Sequence, residues 1–149
     1  MYQIAEDIPI FGPNCQNMKT WDGKNFRLHV SWTRLFENER VKWRMTLPVG
    51  FVTDFGSIPR MGRRIWTPTG PYINDYLTHD GLYGGELVSR AEADYILLEL
   101  LEARGALWID RNTQYSAIRI GGGFVWSNHN PEEVKKVRAS IIWEYEVKK

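Results

Sequence analysis

Between residues 26 and 47, two runs of alternating polarity flank a short polar link, a pattern that few local structures except an antiparallel hairpin accept. Phe26, Leu28, Val30 and Trp32 alternate with Arg27, His29, Ser31 and Thr33. That period of two puts one face of a strand in a core and the other in water. The first strand is expected over residues 26–36. After Glu37-Asn38-Glu39-Arg40, the apolar residues Val41, Trp43, Met45 and Leu47 alternate with Lys42, Arg44 and Thr46. A face carrying two tryptophans has to be covered by the rest of the chain. Pro48 and Gly50 end the second strand, residues 51–59 read as a tight connector, and residues 60–70 read as an irregular loop holding Arg60, Arg63 and Arg64.

The later sequence is helical in pattern. Residues 72–83 suit a helix that Gly84-Gly85 would stop. Ser89 and Glu92 form a capping box, after which Ala93, Ile96, Leu97, Leu100 and Leu101 recur at helical spacing until Gly105. A shorter helix is expected over residues 111–119, with Gly121-Gly122-Gly123 as a break. Asn130-Pro131-Glu132-Glu133 starts a last helix, expected to reach about residue 146 with Val134, Val137 and Ile141 buried. Strands first and helices afterwards predict a single α+β domain over residues 1–149, a small antiparallel sheet packed by three to four helices.

Composition narrows the function classes. A chain of 149 residues buries about 70% of its unfolded surface and needs no metal or disulfide to fold. Nineteen basic against eighteen acidic residues leave a net charge of +1, which removes the electrostatic case for a nucleic-acid binder. Cys15 stands alone, so no intrachain disulfide or cysteine-based zinc site is expected. No apolar run approaches the roughly 20 residues of a membrane span. Glu6 and Asp7 stand where a secretory signal would carry lysines.

His79-Asp80 is the leading candidate for chemistry. On a helix over residues 72–83, Tyr76, Asp75 and Tyr83 lie one turn from His79, and Asp80 is turned about 100° away. The pair suits a division of labour, imidazole as base and carboxylate as metal ligand or electrostatic anchor. Asp94 lies at the margin of the next helix's apolar stripe, where an unpartnered carboxylate is costly. With the two helices as antiparallel neighbours, His79 could donate one ring proton to Asp94 and keep its other nitrogen as an acceptor. The alternative is that Asp94 pairs with an arginine or caps a loop. Asp54 and Ser57 are a second candidate pair, with local turn bonding as the structural alternative. His29 and His129 read as surface and loop residues, and the three arginines of the loop as an anion cluster or solvated charges.

Three segments in order, P-V-G-F-V-T-D-F-G-S-I-P (48–59), L-T-H-D-G-L-Y (77–83) and S-R-A-E-A-D (89–94), resemble domain-of-unknown-function family 1353 over residues 48–121. That resemblance implies a bacteriophage or prophage origin. The H-D-x-x-Y helix followed by a second helix bearing an aspartate also resembles phospholipase A2. It implies His79 as the water-activating base, Asp94 as its orienting partner, Asp80 as a calcium ligand and Tyr83 in support; Tyr76, one turn before His79, is a further supporting candidate. The segment around Gly70 would supply part of the calcium loop.

The expected function is therefore a phage-encoded hydrolase acting on a lipid ester or cell-wall amide of the host envelope, possessing a divalent-cation site. The competing class is a non-catalytic virion component of the tail, baseplate or connector, with other virion proteins as partners and exposed tryptophans among Trp21, Trp32, Trp126 and Trp143 as anchors. Either role places the chain in the phage virion or the host cytoplasm.

Overall fold

The computed structural model describes residues 3–5, 26–28, 30–53 and 72–149. Asp54, Ser57, Gly70, His29 and the three loop arginines lie outside the described residues. The chain divides into two compact units, Met1–Asp54 with Ala139–Lys149, and Phe55–Arg138. The class is α+β.

The first unit is built on the expected hairpin. Strands β3 (Trp32–Glu37) and β4 (Val41–Leu47) pair antiparallel with Trp32 opposite Leu47 and Glu37 opposite Lys42. Asn38 makes the turn, its Oδ1 accepting from the amides of Arg40 and Val41 at 2.8 and 2.7 Å. Strand β1 (Gln3–Ala5) adds beside β3, and β6 (Ile142–Val147) beside β4, giving the order β1-β3-β4-β6. Trp32, Arg34, Phe36, Val41, Trp43, Met45 and Leu47 are buried on one face of the hairpin. Each large apolar side chain removed from water this way contributes roughly 1.5–3 kcal/mol before entropy is charged against it.

Two expectations fail here. The first strand is not continuous over residues 26–36: β2 (Phe26–Arg27) pairs with β5 (Val52–Thr53) in a separate two-stranded sheet. The backbone of Leu28 bonds to Phe51 and Gly50, so the chain changes partners before Trp32 joins the main sheet, and Val30 is left 63% exposed. Nor does the last helix reach residue 146. It ends at Ser140, and I-W-E-Y-E-V pairs with β4 instead, because branched and aromatic residues alternating with acids fit a strand. Trp143 and Tyr145 stack on the face shared with Trp43, while Glu144 meets Arg44 across the strands at 2.5 Å.

The second unit is helical: α1 (Ile73–Gly84), α2 (Arg90–Ala103), α3 (Trp108–Ser127) and α4 (Pro131–Ser140). Helix α2 packs against both α1 and α3. Its start is capped as expected, the Ser89 hydroxyl accepting from the Glu92 amide at 3.2 Å. Gly105, at φ +85°, ends it with the paired bonds of a Schellman motif. Helix α3 overturns the expected short helix over 111–119, for it runs unbroken through all three glycines. Gly122 is there for space rather than flexibility: a Cβ on it would lie 2.6 Å from the Tyr83 hydroxyl. No residue of α4 is fully buried, and of the stripe expected there only Ile141, just past its end, is.

Candidate functional site

Helices α1 and α2 are consecutive and antiparallel neighbours, joined by a turn short enough to face their side chains inward. His79, in the second turn of α1, and Asp94, in the second turn of α2, meet across that contact. Nε2 of His79 lies 2.9 Å from Oδ1 of Asp94. The Tyr83 hydroxyl donates to the same oxygen at 2.5 Å, and Arg119 of α3 donates to Oδ2 at 2.7 Å. Arg90, one turn before Asp94 on α2, stands 3.7 Å from Oδ2 and donates to the Arg119 carbonyl. The Tyr83 ring lies against the imidazole, centroids 4.2 Å apart, and its other edge meets Trp126 at 5.1 Å.

Asp94 is fully buried. Burial alone would raise its carboxyl, but hydrogen bonds from His79, Tyr83 and Arg119 outweigh that cost and hold it below the usual carboxylate range. It is an anion matched by donors on every side. Burial, then the bond to Asp94, pushes the Tyr83 phenol well above its ordinary value, so it stays a donor. With Asp94 as acceptor, the proton of a neutral His79 sits on Nε2, and Nδ1 keeps its lone pair. Nδ1 has no partner among the described residues, and a tenth of the side chain reaches solvent.

The structure thus brings together His79, Asp94 and Tyr83 as the sequence suggested. Asp94 pairs with an arginine and makes a hydrogen bond with the histidine at once. Tyr76 is buried but makes no hydrogen bond to Asp94, and Asp80 is half-buried on the adjoining side of α1. Among the described residues no three His, Cys, Asp or Glu side chains gather to hold a metal. Asp80 alone does not supply the oxygen shell of a calcium ion. The segment around Gly70, which would complete that shell, lies outside the described residues.

Sequence reasoning missed four contributions. Arg119 completes the Asp94 network from 25 residues away, with no local signal. Asp75 carries a second buried carboxylate, held by Arg104 through two bonds of 2.7 and 3.1 Å. Trp126 walls the Tyr83 ring. His129, read as a loop residue, has Nδ1 2.9 Å from Oε1 of Glu86, a pairing across 43 residues.

No helix among the described residues is long and apolar enough to cross a membrane. No curated protein and no solved structure matches the chain. The model of a family described as protein of unknown function (DUF1353) matches residues 30–118, a segment that starts at the hairpin, includes His79, Tyr83 and Asp94, and stops one residue short of Arg119. The chain therefore belongs to the DUF1353 family.

Proposed function

We propose that this chain is a bacteriophage-encoded hydrolytic domain that cleaves a lipid ester or a cell-wall amide of the host envelope. The carrying observation is the 2.9 Å contact of His79 Nε2 with the buried Asp94 carboxylate. Asp94 fixes the tautomer and turns Nδ1 into the acceptor. Water gives a proton to Nδ1 as its oxygen bonds to the substrate carbonyl carbon, and Asp94 offsets the charge of the imidazolium so formed. When the carbon–oxygen or carbon–nitrogen bond breaks, the same proton passes to the departing alkoxide or amine. Tyr83 and Arg119 act as positioning residues, because they hold Asp94 rather than reach the reacting atoms. The test is release of fatty acid from phospholipid vesicles and of new amines from purified peptidoglycan. The parent cleaves one of the two and His79→Ala does not; a folded parent inactive on both removes the reading.

A second reading, a non-catalytic component of the phage tail, baseplate or connector, draws support from the outer face of α3. Trp108, Ile109, Ile120 and Phe124 are each at least 60% exposed. By contrast, Trp32 is buried, Trp126 and Trp143 are half-buried, and Trp21 lies outside the described residues. On the helical wheel Ile109, Thr113, Ser116, Ile120 and Phe124 share a side without a charged residue. Ile109 and Phe124, and likewise Thr113 and Ile120, are equidistant from the midpoint between Ser116 and Ala117. An antiparallel pairing with a second copy therefore sets Ile109 on Phe124 twice, the self-complementarity a two-fold interface needs. Ile109, Ile120 and Phe124 offer on the order of 400 Å² per copy, the apolar centre of an interface of about 800 Å² a side. The helix's cations Arg111 and Arg119 are spent on Glu102 and Asp94, which disfavours a lipid surface as the occupant. Sedimentation of the parent as a dimer and of Phe124→Glu as a monomer supports this reading; a monomeric parent overturns it.

A further inference from the structure

Beside Trp126 lies a cleft of about 340 Å³, lined by Glu86, Trp126, His129, Pro131, Val134, Lys135 and Arg138. Its size is that of a small-ligand pocket. Only Glu86 falls within the segment matched by the family model, and the other lining residues follow residue 118.

The backbone under Glu86 is unusual. Helix α1 ends in a Schellman motif, with Leu87 N bonding to Leu82 O and Glu86 N to Tyr83 O, both at 3.1 Å. The same motif ends α2, where the left-handed position is held by Gly105. In α1 that position is Glu86, at φ +43°. A side chain there is strained, and such outliers gather where a side chain must be held in one place. The glycines beside it serve another purpose: a Cβ on Gly84 would lie 3.3 Å from Val137, so its lack of a side chain lets α4 come close, while one on Gly85 would crowd Leu87 at 3.0 Å. That approach brings Lys135 and Arg138, one helical turn apart, to the same opening.

Glu86 places its carboxylate on His129 Nδ1 at 2.9 Å, and its carbonyl accepts from Arg138 at 3.2 Å. His129 stands against Trp126 with centroids 5.5 Å apart. Lys135 has no acidic partner among the described residues, and Arg138 spends one donor on the Glu86 carbonyl. The acid in the cleft is thus engaged by the histidine, while two cations face outward beside an apolar wall of Trp126, Pro131 and Val134.

We infer that this cleft binds a small organic oxyanion, a carboxylate or phosphate monoester carried on a single ring or short apolar body. The Lys135 ammonium and the Arg138 guanidinium take the oxyanion, and Trp126 with Val134 takes the body. Glu86 is engaged by the imidazole, Nδ1 donating, so its carboxylate is held on the ring. The assignment is independent of the hydrolytic reading of His79, which does not line the cleft.

The test is titration of the full chain with phenyl phosphate, followed by backbone amide shifts in α4, with inorganic phosphate and benzylamine as comparison probes. Saturable shifts centred on residues 129–138 are expected, with inorganic phosphate weaker and benzylamine without effect. Lys135→Gln, at an exposed position, is expected to weaken phenyl phosphate about tenfold. Absence of saturation, inorganic phosphate binding as tightly as phenyl phosphate, binding of benzylamine, or unchanged affinity in Lys135→Gln would each overturn the assignment.

Discussion

Gly122 in α3 makes room for the Tyr83 hydroxyl of α1, a Cβ at residue 122 being only 2.6 Å from that oxygen. The same hydroxyl is 2.5 Å from Asp94, so one missing side chain keeps a donor aimed at the carboxylate that holds His79. Propensity favours alanine over glycine inside a helix by about 1 kcal/mol. Here Gly122→Ala is expected to destabilise the protein by roughly 1–3 kcal/mol, since the ring must leave its place. In a Tyr83→Phe background the closest atom is gone, and the same substitution should become neutral or stabilising by up to about 1 kcal/mol. Urea unfolding of the four proteins measures the cycle; a cost at residue 122 that persists without the hydroxyl would refute the packing argument.

Asp94 carries the acid sensitivity of the second unit. Its carboxyl is held below the ordinary range, so the anion contributes stability above about pH 4 that is lost as pH falls through its native value. Asp94→Asn removes the charge matched by Arg119, a partner one-third exposed, and is expected to cost roughly 2–4 kcal/mol at pH 7. The variant has no such proton to take up, so the gap between the two proteins should narrow between pH 5 and about pH 3. Denaturant midpoints at three pH values decide it, and a gap that stays constant contradicts the sign.

How much of this arrangement the chain announces differs from part to part. The β3–β4 hairpin and the α2 cap were legible because period-two alternation and a Ser-x-x-Glu start are local signals. His79 and Asp94 could be paired for a related reason: two helices joined by a short turn have few ways to face each other. What was illegible depends on space or on distance along the chain. Three successive glycines read as a break, whereas the helix continues because Gly122 answers to Tyr83 of α1, 39 positions earlier. The segment I-W-E-Y-E-V was absorbed into a helix although its own alternation matches that of β4, the strand it joins. Arg119 and the Glu86–His129 pair carry no local pattern, since a hydrogen bond across 25 or 43 residues leaves none.

Glu86 offers a test in which two substitutions of one residue diverge. Glycine relieves the left-handed backbone at φ +43°, while alanine keeps the strain and loses the carboxylate. Glu86→Gly should therefore exceed Glu86→Ala in stability by about 1 kcal/mol. Thermal or urea unfolding compares them directly. Equal stabilities would mean that the turn relaxes without cost.

Gln114 of α3 is fully buried, and neither its amide oxygen nor its nitrogen has a hydrogen-bond partner among the described residues. A buried amide left unpaired costs roughly 1–3 kcal/mol. Gln114→Leu, similar in volume, should stabilise the protein by about 1–2 kcal/mol. A loss of stability would show that the amide is bonded after all.

The claim on which the rest depends is that Asp94 holds the His79 proton on Nε2 and leaves Nδ1 as the base. Long-range proton–nitrogen correlation spectra of the folded protein at neutral pH read that tautomer directly, with His79→Gln identifying the resonance. The account predicts that the neutral form of the ring carries its proton on Nε2; a neutral form protonated at Nδ1 would contradict it.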